Sequence, residues 1–244
     1  MNRRRVLMDA GNSSLKWVVV EDGQWRVHGR CDYADWHALK AELTAGTECF
    51  VASVTHPEHE QQLVAQMEAA AIGSTWLTAN ARFADLKNTY LNPLQLGVDR
   101  WMALIAARQR TLEPVLVVSV GTAMTVDALT AEGVFLGGVI VPGVSLMRQS
   151  LQQGTAGVGD ATGQWQTFPN TTANAVQSGI VAALCGAIQQ QHARLAEVAK
   201  VTPYCLLTGG DAGMVSPHLG IPTEHVPALV LEGIDCVARE GGAR

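Results

Sequence analysis

Apolar and polar positions change period along the chain in a set order, and that order occurs twice. Apolar runs at 5–9 and 15–21, with an alternating stretch at 24–30, predict three strands joined by tight turns. A helical pattern follows over 35–43, then a buried strand at 49–54, a helix at 57–71 with Pro57 in its first turn, and a short strand near 75–77. Residues 80–95 read as a polar loop. From Asp99 onward Trp101, Leu104, Ile105 and Arg108 fall on helical spacing, and Glu113-Pro114 ends that helix.

The second half repeats the sequence of elements. Strands are predicted at 115–120, 125–129 and 134–141, then a helix from Pro142-Gly143 to about 153. After a polar loop at 154–163 come a long helix at 172–198 with a small-residue face, a strand at 204–207 running into Thr208-Gly209-Gly210, and a last helix at 228–237. The GxG at 157–159 follows a helix rather than a strand, so it reads as a connection and not as a dinucleotide-binding turn. The repetition reaches single residues, because 9–23 lies over 119–133 without a gap: strand, Gly-polar turn, strand, acidic-Gly turn. Two similar halves, 1–113 and 114–244, are therefore expected, each a mixed α/β layer, with a shared cleft as the natural ligand site.

Composition narrows the function classes. Of 244 residues 48% are hydrophobic and only 16% charged, which is enough apolar matter for a substantial core. A net charge of −5 argues against a general nucleic-acid surface, and the one basic cluster, Arg3-Arg4-Arg5, leads into an apolar run that Asp9 stops far short of a signal-peptide core. No apolar stretch reaches membrane-spanning length, so no membrane partner is expected and the cytoplasm is the expected compartment. The five cysteines are scattered and form no CxxC, and most of them read as small buried hydrophobes. His56 and His59, separated by Pro57, read as a polar helix start rather than a metal site.

Two constellations carry chemistry. Glycine lets main chain approach an oligophosphate closely, and Asn12, Ser13, Ser14, Thr122 and Thr125 add short donors around the two glycine turns. Asp9 at its strand end either satisfies turn amides or holds a metal ion against phosphates; Lys16 either supplies positive charge there or is a solvated strand residue. Asp99 either caps its helix or serves as a base for an attacking hydroxyl, and Arg100 beside it offers a planar fork for an anionic or polyhydroxy substrate. There is no GxxxxGK[ST] loop, kinase catalytic-loop signature or GxSxG elbow, which directs attention to the paired turns.

Six motifs in order resemble the type III pantothenate kinases, within the acetate and sugar kinase, heat-shock ATPase and actin superfamily. They are DAGNSSLK at 9–16, TYLNPLQLGVDR at 89–100, GTAMTVD at 121–127, GGVIVPG at 137–143, TANAVQSG at 172–179 and TGG at 208–210. The resemblance implies two duplicated ribonuclease H-like (actin-like ATPase) domains with mixed sheets around a central cleft. It implies ATP contacts at Asp9, Ala10, Gly11, Asn12, Ser13, Ser14, Leu15, Lys16 and Thr122, with Mg2+ at Asp9. It places Tyr90, Gly97, Val98, Asp99, Arg100 and Thr172 around pantothenate, makes Asp99 the catalytic base, and sets TGG towards the adenosine.

The implied activity is ATP-dependent phosphorylation of pantothenate, the first step towards coenzyme A, in a homodimer to which the small-residue stretch 179–188 could contribute a contact. The family's K+ or NH4+ ligand is an aspartate two residues before the second turn's glycine; here that position is Ser119, a poorer ligand than a carboxylate. A kinase for a sugar or another small alcohol, and a non-catalytic regulator of the Bvg accessory factor type, are the alternative readings.

Overall fold

The computed structural model describes residues 4–158 and 162–241. The chain forms strands β1 (Arg4–Ala10), β2 (Leu15–Glu21) and β3 (Gln24–Cys31), helix α1 (His37–Glu42), β4 (Glu48–Ser53), α2 (Pro57–Ala69) and β5 (Ser74–Trp76). Short strands β6 (Arg82–Phe83) and β7 (Leu86–Asn88) and a single 3-10 turn, Pro93–Gln95, then lead to α3 (Val98–Arg110). The stretch expected as a plain polar loop thus contains a strand ribbon. The remainder is β8 (Val115–Val120), β9 (Ala123–Leu129), β10 (Val134–Pro142), α4 (Val144–Gly154), α5 (Thr172–Ala199), β11 (Tyr204–Thr208), α6 (Ala212–Val215), β12 (Glu224–His225) and α7 (Leu229–Arg239). Of the GxG at 157–159, Gly159 lies outside the described residues.

The chain divides into two compact units. The first runs through Ala84, resumes over Asn88–Arg110 and includes the chain from Ala228 onward; the second is Asp85–Lys87 with Thr111–Pro227.

In the first unit one sheet has the order β3-β2-β1-β4-β5, with β1, β2 and β3 antiparallel and β4 and β5 parallel to β1 and to each other. Because β1 is the central strand, Val6, Leu7, Met8 and Ala10 are all fully buried. Helix α7 was expected with the second half. It instead covers this unit, because its apolar residues Leu229, Leu231, Ile234 and Val237 form one stripe and α7 lies against α3 and β1. Arg5 and Arg4 are used structurally here: Arg5 pairs with the buried Asp235 on α7, and Arg4 with Glu21 and Glu42.

The second unit repeats the strand order. Its sheet carries the strand order β10-β9-β8-β11-β12, which matches that of the first sheet strand for strand. β8, β9 and β10 are antiparallel, and β11 and β12 run parallel to β8. Two units of this 3-2-1-4-5 topology are the ribonuclease H-like, actin-like ATPase arrangement. The core of this unit lies between the sheet and α5, where Ile180, Val181, Leu184 and Ile188 meet Leu116, Val118 and Leu207.

The gapless match between the halves conceals a one-residue difference. Asp9 pairs with Lys16, whereas Ser119 pairs with Thr125 rather than Val126. The second turn is one residue tighter, and the longer β9–β10 connection restores the count. The registers give Leu129 opposite Phe135, against Glu21 opposite Gln24 in the first unit.

Candidate active site

The first turn leaves the end of β1, where Asp9 faces Lys16 across the ladder and is only 8% exposed. Burial pushes the Asp9 carboxyl up to about 6; the Lys16 ammonium pulls it back, and the negative charge of Asp99 adds to the rise. Gly11 N–H donates to the Ser14 carbonyl at 3.2 Å and closes the turn. Ala10 and Leu15 bury their side chains in the core, so only their main chain can meet a ligand. Ser14 is also buried, and its Oγ accepts from Arg30 Nε at 2.9 Å. The exposed tip of the turn is Asn12 and Ser13.

The second constellation begins at the first turn of α3. Asp99 lies there beside Gly97, and a Cβ on Gly97 would meet Asp99 Oδ1 at 2.6 Å. Burial raises the Asp99 carboxyl, while the Arg100 backbone N–H, the Arg100 charge and Asp99's own backbone N–H hold it down. Val98 is a core residue. Arg100 is buried, and its Nη1 donates to the Tyr90 hydroxyl at 3.0 Å. These two side chains therefore form one positioned group rather than two separate ones.

Asn88, absent from the predicted site, explains why Tyr90 can reach Arg100. It is buried; its Nδ2 donates to the carbonyls of Asn80 at 3.3 Å and Pro93 at 3.2 Å, and its Oδ1 accepts from Tyr90 N–H at 3.1 Å. One amide thus ties together three points of the loop leading to α3. A lone Asn beside a Thr-Tyr pair has no periodic signal, and only its burial marks it out.

Asp9, the turn that follows it, Tyr90 and the Gly97–Arg100 segment all belong to the first unit, where Asp99 acts electrostatically on Asp9. Thr122 and Thr172 belong to the second unit. Thr122 is exposed on the second turn, which Gly121 N–H closes by donating to the Ala123 carbonyl at 3.1 Å. Thr172 is exposed at the start of α5, where Thr171 Oγ1 caps the helix by accepting from Asn174 N–H. Ser119 stands in register with Thr125 on β9 and with Thr208 on β11, whose buried hydroxyl donates to the Pro227 carbonyl. Gly209 and Gly210 follow β11 directly.

Residues 5–194 match the family model described as type III pantothenate kinase. A protein from Thiobacillus denitrificans named "Type III pantothenate kinase" is 60% identical over 242 residues, covering 99% of this chain and 99% of its own length. One of the same name from Chromobacterium violaceum is 41% identical over 240 residues, covering 96% of this chain and 99% of its own. Among solved structures, a conserved Baf-family protein from Campylobacter jejuni is similar with a TM-score of 0.63 at 18% identity, over 96% of this chain and 98% of that one. At that identity the likeness speaks for the fold.

Proposed function

The chain belongs to the type III pantothenate kinase family, and from its geometry we propose that the first unit holds the reacting hydroxyl, with Asp99 as the catalytic base. The protein is a phosphotransferase that uses ATP to convert pantothenate to 4′-phosphopantothenate, the first step of coenzyme A biosynthesis. The observation that carries the residue assignment is the placement of Asp99 at the start of α3, next to the Arg100–Tyr90 pair and within electrostatic reach of Asp9.

In this reading Tyr90, Gly97, Val98, Arg100 and Thr172 line the substrate, with the Arg100 fork suited to its carboxylate or its polar groups. Asp99 accepts the proton of the primary hydroxyl as that oxygen bonds to the γ-phosphorus and the bond to the β–γ bridging oxygen breaks, leaving ADP. A carboxylate raised by burial is a stronger base than a solvated one, which suits the role. The turn from Asp9 to Lys16, together with Thr122, contacts ATP through backbone N–H groups, the Asn12 and Ser13 side chains and the Lys16 charge.

The residues fit a divalent cation. Asp9 would hold Mg2+ as a single buried carboxylate, with phosphate oxygens completing the shell; among the described residues no group of three or more His, Cys, Asp or Glu makes an all-protein cage. The ion supplies charge neutralisation on the phosphates. At Ser119 the carboxylate form of the monovalent-cation site is missing, so K+ or NH4+ dependence is expected to be weak. A cytoplasmic homodimer is part of the same proposal. On α5 the exposed small residues Gly179, Ala182, Ala183 and Gly186 lie on one helical face, opposite the face buried in the unit's own core.

The test is phosphorus NMR of product formed from Mg-ATP and pantothenate, with and without K+, for the native protein and Asp99→Asn. Phosphopantothenate is expected under both conditions, with kcat for the variant lower by about 10²- to 10⁴-fold and ATP binding retained. Absence of phosphopantothenate in both conditions, or equal turnover of hexoses or acetate, overturns the proposal.

A further inference from the structure

Resting on the reading of the first turn as an ATP-phosphate site, we infer that Tyr33 is a positioning residue that fixes that turn through its glycine carbonyl. The Tyr33 hydroxyl donates to the Gly11 carbonyl oxygen at 2.6 Å, across a separation of 22 residues. This fixes the peptide plane between Gly11 and Asn12, and so the direction of the Asn12 N–H at the exposed tip of the turn. Asn12 and Ser13 have no burial to hold them in place. The two ends of the turn are held by the Gly11–Ser14 backbone bond, the Arg30 bond to Ser14 Oγ, and Tyr33.

Tyr33 is itself held. Its ring stacks on His59 with centroids 4.1 Å apart and planes 4° apart. His59 Nδ1 is 3.2 Å from Thr55 Oγ1, which fixes the imidazole against the start of α2. A half-buried phenol with one face stacked and its hydroxyl bonded has little rotamer freedom left to lose on ligand binding.

The second unit solves the same problem with main chain. Tyr33 follows the third strand of its sheet by two residues, and Gly143 follows the corresponding strand, β10, by one. Gly143 approaches the second turn so closely that a Cβ on it would meet the Gly121 carbonyl oxygen at 2.0 Å, and its N–H donates to the Thr122 carbonyl at 2.9 Å. In each unit, then, a residue within two positions of the third strand's end holds the turn between the first two, at the Gly11 carbonyl in one and the Thr122 carbonyl in the other. One does so with a phenol hydroxyl and the other with a side-chain-free backbone. The looser first turn, longer by one residue, is the one that receives a side-chain clamp.

The experiment is calorimetric titration of Tyr33→Phe with Mg2+ and β,γ-imido-ATP, beside steady-state kinetics. Loss of one hydrogen bond that orders the turn is expected to weaken analogue binding and raise KM for ATP about three- to tenfold. KM for pantothenate is expected to stay unchanged and kcat to change little. His59→Ala, which keeps the hydroxyl but removes the stacked support, is expected to move ATP binding in the same direction by a smaller factor. Lys16→Ala serves as the control for the underlying reading: if it leaves analogue binding unchanged, the phosphate assignment of the turn fails. If Lys16→Ala weakens binding while Tyr33→Phe lowers only Tm, or raises KM for both substrates alike, the positioning role fails and the tyrosine is merely structural. An unchanged affinity in a folded His59→Ala protein overturns the stacked support.

Discussion

Oδ1 of Asp99 lies 2.6 Å from where a Cβ on Gly97 would stand, so the candidate base fills the space that a side chain at position 97 would need. Gly97, the residue before α3, accepts the Trp101 N–H into its carbonyl at 3.1 Å, which ties its main chain to the helix start. Any added carbon must therefore displace the carboxylate.

Gly97→Ala is expected to leave the fold intact and turn the Asp99 side chain away. A misplacement of this size at a reacting group costs roughly 10²-fold in kcat, with ATP affinity retained. Steady-state kinetics with calorimetric ATP titration checks this, and a variant with native kcat would show that Asp99 does not need its present orientation.

How far these relations could be read from sequence depends on whether they leave a periodic trace. β1, β2 and β8 were legible because buried strands make apolar runs and glycine marks their turns, whereas the exposed β3 was legible from its alternation. Asp9 and Lys16 stood out as two polar positions flanking one turn, but their pairing came only with the strand register. The gapless overlay of the halves missed the tighter second turn, since a one-residue slip there is restored before the overlay ends. Asn88 ends the three-residue strand β7 and Tyr33 sits between elements, so neither has a pattern to distinguish it, and the groups they donate to are backbone carbonyls without sequence identity. α6 and β12 are too short to show a period. The amphipathic pattern of α7 predicted a helix but not which sheet it covers, because a stripe of apolar residues names no partner.

The raised Asp9 carboxyl makes a signed pH prediction. Its value of about 6 in the folded chain exceeds the ordinary 3.8, so between these values the folded state binds a proton that the unfolded state has lost. Stability therefore falls as pH rises through this window and is level above it; the gap corresponds to about 3 kcal/mol for an isolated group. Asp9→Asn is expected to be more stable than the native protein at about pH 8, with the difference closing towards about pH 4. Urea denaturation of the ligand-free proteins across this range checks it, and a pH-independent difference would contradict the burial argument. Cation binding needs the ionised carboxylate, so Mg-ATP affinity of the native protein is expected to drop below about pH 6.

The attachment of α7 to the first unit rests on a buried ionic cluster, which gives the last prediction. Asp235, with its side chain 5% exposed, has Arg5 Nη2 at 3.5 Å and accepts from Trp25 Nε1 at 3.1 Å and from Arg239 Nη2. Arg5 is almost as buried, with its side chain 10% exposed, whereas Arg239 reaches solvent at 57%. Asp235→Ala strands the Arg5 charge inside and is expected to cost about 3–5 kcal/mol. Replacing both buried partners, as Arg5→Met with Asp235→Leu, is expected to recover most of that loss, because the desolvation penalty of both ions disappears while the volume is kept. Chemical denaturation followed by tryptophan fluorescence separates the cases: a double variant no more stable than Asp235→Ala would mean that the cluster contributes specific polar bonding that apolar packing cannot replace.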